Sequence, residues 1–314
     1  PPEFVRPLRG VLGDVEQRLV VGRPNKVRHL ALAVFEEGYE VLRRLVDNCP
    51  PERHLIHGDP INHNILVEND QITAVLDWCG ANDLSAIPFG GGYSVTGGVN
   101  PTTDPRYRGA VTIDLKHFNK VLEIDKTSQA ARVQCGVLGP DLERQLRSSS
   151  LTMRFFLQAW EFSSLGGWIA TRAAGHFATV YSQIDDHVES LRVVTPAGTI
   201  ASRRLPTSGA GPNPDRLFLG SEGALGIITE AWVRLHRRPT IRLSTTVGFG
   251  DYEKAVAAVR DITQAGLYPA NARLIERGEA LFTEAGDGTA DVLVLTFESA
   301  DHPLEPWMDR ALQI

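Results

Sequence analysis

The chain has 314 residues, 42% of them hydrophobic and 22% charged, with a net charge of −6 at neutral pH. That length holds two or three domains with real cores, and the composition is that of an ordinary globular protein. Nucleic-acid binding and membrane insertion are both disfavoured, because no face is strongly basic and no apolar run approaches the ~18 residues of a span.

The acidity is spread thinly: residues 1–84 carry 9 Lys and Arg against 13 Asp and Glu, and the rest 23 against 25. Cys49, Cys79 and Cys135 are widely spaced and form no C-x-x-C. They read as reduced thiols in a cytoplasmic protein rather than as a disulfide framework or metal site. The N-terminus, Pro1-Pro2-Glu3-Phe4, has neither an initiator Met nor a signal-peptide core, so a fragment is expected.

From Val27 to Val46 apolar residues recur at helical spacing (Leu30, Val34, Val41, Leu42, Leu45) among Glu and Arg, until Asp47-Asn48-Cys49-Pro50-Pro51 stops the pattern. His57-Gly58-Asp59 follows, and then two short strands are expected, Asn64–Val67 and Ile72–Trp78, around a turn at Glu68-Asn69-Asp70. That hairpin would bring Asp59, Asn64 and Asp77 to one end. An acid, an amide five residues on and a second acid after the next strand suit phosphoryl transfer: one carboxylate takes the hydroxyl proton while the other two groups hold Mg²⁺. A polar hairpin with Asp and Asn in its turns explains the same residues without chemistry.

The next stretch is the most informative. Ile87-Pro88-Phe89-Gly90-Gly91-Gly92-Tyr93-Ser94-Val95-Thr96-Gly97-Gly98 places five glycines in nine residues. Without Cβ atoms, successive backbone N–H groups can converge on one anion, most often a phosphate. A flexible linker is the alternative, and the interleaved Ile87, Phe89, Val95 and Val99 argue against it. Neither a P-loop Lys-Ser/Thr nor a G-x-G-x-x-G is present.

Beyond it, short strands are expected at Val111–Leu115, Val121–Ile124 and Ala131–Gln134, a helix from Pro140 to Leu146, a hairpin over Arg192–Ile200 and a strand at Ile227–Val233. The mixture is α+β, without the βαβ alternation of a Rossmann sheet. Two further glycine-bearing stretches, Phe162–Gly175 and Gly220–Ile228, set small residues beside apolar ones, so that a flat or extended ligand could lie on backbone. A helix cap or tight turn accounts equally for Gly166-Gly167. A strand at Ile241–Val247, an amphipathic helix from Tyr252 to Gln264, and strands at Arg273–Ile275 and Val292–Phe297 complete the chain.

Two resemblances carry these motifs further. His57-Gly58-Asp59-x4-Asn64-Ile65-Leu66 followed by Val75-Leu76-Asp77-Trp78 resembles the catalytic and metal-binding segments of the aminoglycoside phosphotransferase and choline kinase family, over residues 25–82. The resemblance implies Asp59 as catalytic base and Asn64 and Asp77 as Mg²⁺ ligands. It covers only part of a kinase C-lobe: no Gly-rich loop or strand Lys precedes it, and the helices that follow Asp77 in the family are missing.

Pro88–Val95, Glu161–Ala174, Val193–Gly198 and Gly220–Ala231 together resemble the FAD-binding domain of the vanillyl-alcohol oxidase (p-cresol methylhydroxylase, PCMH-type) superfamily, and within it the alkyldihydroxyacetonephosphate synthase branch. The resemblance implies a PCMH-type two-subdomain FAD-binding fold at 85–239, lacking its opening strand and helix, with a partial α/β cap at 240–314 and the kinase-like fragment at 1–84. The join is expected near Asp83–Ala86.

FAD would be held non-covalently by three loops. The first comprises Pro88, Gly90, Gly91, Gly92, Tyr93, Ser94 and Val95, around the pyrophosphate. The second is Thr171, Arg172, Ala173 and Ala174, and the third Glu222, Gly223, Ala224, Leu225, Gly226, Ile227 and Ile228. A bulky residue at Gly91 would fill the pyrophosphate's place. Arg273 matches an active-site arginine facing flavin and an anionic substrate; otherwise it is a surface charge on a strand. Tyr93 stands where the family usually has Thr. His176 and His187 lie outside the usual context of covalent flavin attachment, and the family's catalytic Tyr and His cluster has no match.

The expected function is FAD-dependent redox chemistry on a hydroxylated or phosphorylated small molecule, with a homodimer left open. The alternatives are an ATP-dependent phosphotransferase and a truncated chimera that only binds a cofactor.

Overall fold

The computed structural model describes residues 56–58, 63–66, 69–101, 104–205 and 209–314. The helix expected over 27–46 and the candidate base Asp59 lie outside them.

The first described layer is a four-stranded sheet. Strand β1 (Ile56–Gly58) pairs antiparallel with β2 (His63–Leu66). Helix α1 (Asn69–Ala81) then leads to β3 (Leu84–Phe89), and β4 (Gly109–Asp114) runs parallel to both β2 and β3, between them. The segment Ile72–Trp78, expected as a strand, is therefore helical. Its apolar residues explain the correction: Ile72, Val75, Leu76 and Cys79 recur at 3, 4 and 7 residues and are all buried, against Leu84, Val111 and Ile113. Residues 63–81 thus supply a strand and a helix ahead of β3, where two strands were expected, and create one local βαβ unit.

The second sheet is antiparallel, in the order β5 (Val121–Asp125), β6 (Ala130–Gln134), β10 (Ile227–Arg234), β8 (Val188–Thr195), β9 (Gly198–Ala201). Between β6 and β8 the chain forms α2 (Gly139–Leu146), β7 (Leu151–Thr152), α3 (Leu165–Thr171), α4 (Ala178–Tyr181) and α5 (Ile184–His187). The central strands are buried on both faces, as their apolar runs require. Leu191, Val193, Ile228 and Val233 pack with Leu142, Leu146, Trp168 and Ile169 in one core, while Val194 and Ile227 reach through to the core of the first sheet. This sharing fixes the two layers against each other and sets the glycine loops at their junction.

Strand β11 (His236–Arg237) pairs with β7 and leads into the cap. There β12 (Ile241–Phe249), α6 (Tyr252–Gln264), β13 (Asn271–Ile275), α7 (Arg277–Phe282), β14 (Asp291–Ser299) and α8 (Glu305–Leu312) follow in order. The sheet order is β12-β14-β13, all antiparallel. Asp251 caps α6 by accepting the N–H groups of Glu253 and Lys254 at 2.9 and 3.4 Å. Ile262, Met308 and Ala311 of the helices cover Leu293, Leu295 and Phe297 on one sheet face.

The other face meets the segment that follows β7. The Glu298 carboxylate, with its side chain 1% exposed, receives the Arg154 guanidinium through both oxygens, with Nε donating at 2.8 Å. Tyr181 Oη donates to it at 3.4 Å, and Arg242 stands 3.8 Å away. Arg154 also lies over the rings of Phe156 and Phe177, at 5.0 and 4.9 Å. A bidentate pair of this kind fixes angle as well as distance, so it orients the cap. Burial, and then the Glu298 charge, push the Tyr181 phenol up to about 12, leaving it a donor at neutral pH.

Beside this pair lie two imidazoles in edge contact, buried His187 and half-buried His236, with centroids 5.6 Å apart. Neither Nε2 has a partner among the described residues, while His187 Nδ1 is 3.3 Å from the Arg234 carbonyl oxygen. Burial, His187 and Arg234 together hold His236 down to about 4, and burial lowers His187 too. Both are neutral when folded, whereas an unfolded histidine protonates near pH 6.5. Protons therefore bind the unfolded chain preferentially, and stability should fall as pH drops from about 6.5 to 4, by up to about 3 kcal/mol for His236. Thermal melting across that window should show a steeper loss for the native chain than for His236→Gln; identical slopes would contradict this assignment.

Candidate functional site

The turn after β3 begins at Gly90 because β4 stops there too: Leu115 N–H donates to Phe89 O at 2.9 Å and closes the parallel pair. From Gly91 to Ser94 the backbone N–H groups meet no acceptor among the described residues. Further on, the loop is self-tied. Gly97 N–H bonds Ser94 O at 3.3 Å, and Gly98 N–H bonds Ser94 Oγ at 3.1 Å. Four consecutive open donors on a glycine-rich turn are the arrangement an anion needs.

The other two loops close on this one. Segment 159–163 is folded under α3 by a relay in which buried Trp168 Nε1 donates to Ser163 Oγ, and Ser163 Oγ to Ala159 O, each at 2.7 Å. Ser164 then caps α3, accepting the Gly167 N–H at 3.3 Å. The loop after Phe218 is pinned to the same helix, since Gly220 N–H reaches Ile169 O and Glu222 N–H reaches Ala170 O, at 3.1 and 2.9 Å. Its carboxylate crosses to the first loop, where Thr96 Oγ1 donates to Glu222 Oε2 at 3.0 Å.

The three loops surround an open cleft of about 150 Å³. Of the residues expected on the first loop, Pro88, Gly90, Gly91, Gly92, Tyr93 and Ser94 line it, but Val95 projects into solvent. On the second, Thr171 and Ala173 line it. Arg172 does not: it ends α3 in the left-handed region (φ 51°) and turns its guanidinium onto Asp185, which also holds Arg216. Ala174 is absent from the wall. On the third, Glu222, Gly223, Gly226 and Ile228 line the cleft, while Ala224 and half-exposed Leu225 do not, and Ile227 is in the core.

Leu115, Leu157 and Ala159 also form wall, and nothing in their sequence context marked them. Among the described residues the lining holds one charged side chain, Glu222, and no Lys or Arg. An anion bound here rests on backbone N–H groups.

Asp59 lies outside the described residues, Asn64 is on β2 opposite His57 and Thr112, and Asp77 is exposed on α1 rather than on a strand. No group of three or more metal-ligating side chains occurs among the described residues. Arg273 is exposed on β13, 3.6 Å from Glu279, and is not part of the cleft wall. His187 is buried away from the cleft and His176 is exposed.

Gly91 carries a constraint different from the one expected. A Cβ there would stand 1.9 Å from the Phe162 carbonyl oxygen and 2.7 Å from Ser163 Cα, so it would part the first two loops rather than fill the cleft. Gly91→Ala should therefore lower both flavin affinity and melting temperature, the latter by several degrees. Gly250→Ala, at a site where a Cβ meets nothing within 4 Å, should change neither. Calorimetric melting and flavin titration of both variants check this, and a Gly91→Ala chain that melts as the native one does would contradict it.

Comparison with known proteins agrees with this geometry. The family model for an FAD binding domain matches residues 65–202, and that for the phosphotransferase enzyme family matches 6–82, so α1 lies wholly within both. The chain is 32% identical over 296 residues to alkyldihydroxyacetonephosphate synthase of Trypanosoma brucei brucei, covering 94% of this chain and 46% of that one. It is 31% identical over 223 residues to the mitochondrial D-lactate dehydrogenase (cytochrome) 1 of Saccharomyces cerevisiae, covering 70% and 37%. A solved structure of alkyldihydroxyacetonephosphate synthase superposes with a TM-score of 0.75 at 27% identity, over 87% of this chain and 58% of that one. The chain thus spans less than half the length of these two relatives. It carries an FAD binding domain and is related through it to alkyldihydroxyacetonephosphate synthase and to other FAD-linked oxidoreductases.

Proposed function

We propose that residues 85–239 bind FAD non-covalently and that residues 240–314 form the start of a cap that presents a hydroxylated or phosphorylated small substrate to it. The observation that carries this reading is the row of open N–H donors from Gly91 to Ser94 at the rim of a cation-free cleft. A diphosphate fits that row because each N–H can donate to an oxygen without a side-chain charge to compensate. The glycines give it close approach, and Ile228, Leu157 and Trp168 offer apolar wall for flat rings. Bound flavin supplies a reversible two-electron acceptor.

The chain's own residues then divide the remaining work. The Arg154–Glu298 pair holds the cap to the segment that leads through Phe156 to Leu157 of the cleft wall. By strand alternation, Arg273 shares a sheet face with its neighbour Val294, and so with Glu298, which faces the FAD-binding half. That placement supports Arg273 as an anchor for an anionic substrate group. Synthase-like chemistry would exchange an acyl for an alkyl group with no net redox change, and oxidase-like chemistry would remove a hydride from a hydroxylated carbon.

An ATP-dependent phosphotransferase is the second reading, favoured by the match over residues 6–82, with Asp59 as base and Asn64 and Asp77 holding Mg²⁺. Asp77 on a helix that packs into the FAD-binding half argues against it.

Purified chain should carry, or take up, a yellow chromophore released by acid. Anaerobic reduction of that flavin over a panel of hydroxy acids and glycerone phosphates would identify the substrate class. Colourless protein that takes up no added FAD would overturn the proposal.

A further inference from the structure

Tyr93 and Phe162 are both 56% exposed, and their rings stack on each other with centroids 5.5 Å apart and planes 20° from parallel. Tyr93 belongs to the cleft wall, directly beside the open N–H groups of Gly91 and Gly92. Each ring uses one face on the other, and more than half of its surface remains in water. Two large aromatic side chains held near parallel at the rim of the cleft form a slab whose free face matches a planar base in shape and polarizability.

The cleft has two directions in which a dinucleotide could run from the row of N–H donors. One leads to Leu157 and Ala173. Leu157 continues through Phe156 to Arg154, the residue that grips the cap's Glu298. Phe156 also accepts the His176 N–H, and Ala173 the Ile184 N–H, so this end is built into the layer beneath the cap. A ring that must meet a substrate held by the cap belongs there. The other direction leads outward to the aromatic pair, where a ring with no chemical task can sit half in solvent.

We propose that Tyr93, backed by Phe162, is the stacking platform for the adenine ring of the dinucleotide. This rests on the FAD reading above and extends it. It gives Tyr93 a side-chain role in addition to the backbone role of its N–H, and makes the cleft selective for FAD over FMN, which has no adenine. The ring face carries the interaction; the phenolic hydroxyl is dispensable.

The test uses the full chain stripped of flavin, with FAD, FMN and ADP titrated separately by fluorescence or calorimetry. Tyr93→Ala should weaken FAD and ADP each by about tenfold while changing FMN by less than about twofold, and Tyr93→Phe should bind all three as the native chain does. Tyr93→Leu, which keeps bulk without an aromatic face, should behave as Tyr93→Ala and serves if the alanine variant melts early. Equal weakening of FAD and FMN by a variant that melts normally would overturn the platform while leaving FAD binding intact. No effect on any ligand would overturn it likewise. A native chain that binds none of the three would overturn the FAD reading itself, and the platform with it.

Discussion

The contact between Gly91 and the Phe162 carbonyl is the constraint on which the cleft depends. Only a residue without a side chain lets the first loop approach the second so closely, since a Cβ would come within 1.9 Å of that oxygen. The same closeness recurs at Gly223, whose left-handed φ of 81° brings it against Pro88. Each loop thus touches the next through backbone or a proline ring, and α3 supplies the carbonyls that hold the third. The N–H groups of Gly91 to Ser94 meet no acceptor among the described residues of this closely packed loop.

This economy explains an electrostatic feature of the site. Among the described residues the wall carries Glu222 and no cation, and Glu222 is occupied with Thr96 across the loops. The second loop's own arginine, Arg172, is drawn off by Asp185. Charge recognition is left to dipoles, which are fixed in place by the packing beneath them and cost no reorganisation. The cap is attached by the opposite strategy, a buried ion pair ringed by Tyr181, Phe156 and Phe177. Together they hold the glycine loops against one another and orient the cap by the directional contacts at Glu298.

Much of this was legible in the residues. Ordered glycine stretches identify the three loops because their chemistry needs backbone exposure, and glycine advertises it. Strands such as Val292–Phe297 and the helix Tyr252–Gln264 are legible because their periodicity is undisturbed. The failure at Ile72–Trp78 has a clear origin: a short apolar run beside a turn is ambiguous between strand and helix, and the turn at Glu68-Asn69-Asp70 favoured a hairpin. The burial of Ile72, Val75, Leu76 and Cys79 shows which period applies. Arg172 misled for a different reason, because its side chain is committed to Asp185 thirteen residues away, a tertiary contact without local signal. Leu157 and Ala159 reach the cleft only through the relay from Trp168, which is equally invisible in sequence.

The central claim is that the open backbone donors of the first loop receive the cofactor's phosphates. Amide hydrogen exchange of the full chain, with and without saturating FAD, addresses it most directly. The account predicts that exchange slows at Gly91 to Ser94 and at Glu222 to Gly226, while the exposed turn at Pro196–Gly198 is unchanged. FAD binding that leaves the Gly91–Ser94 amides exchanging as fast as in the free chain would contradict it.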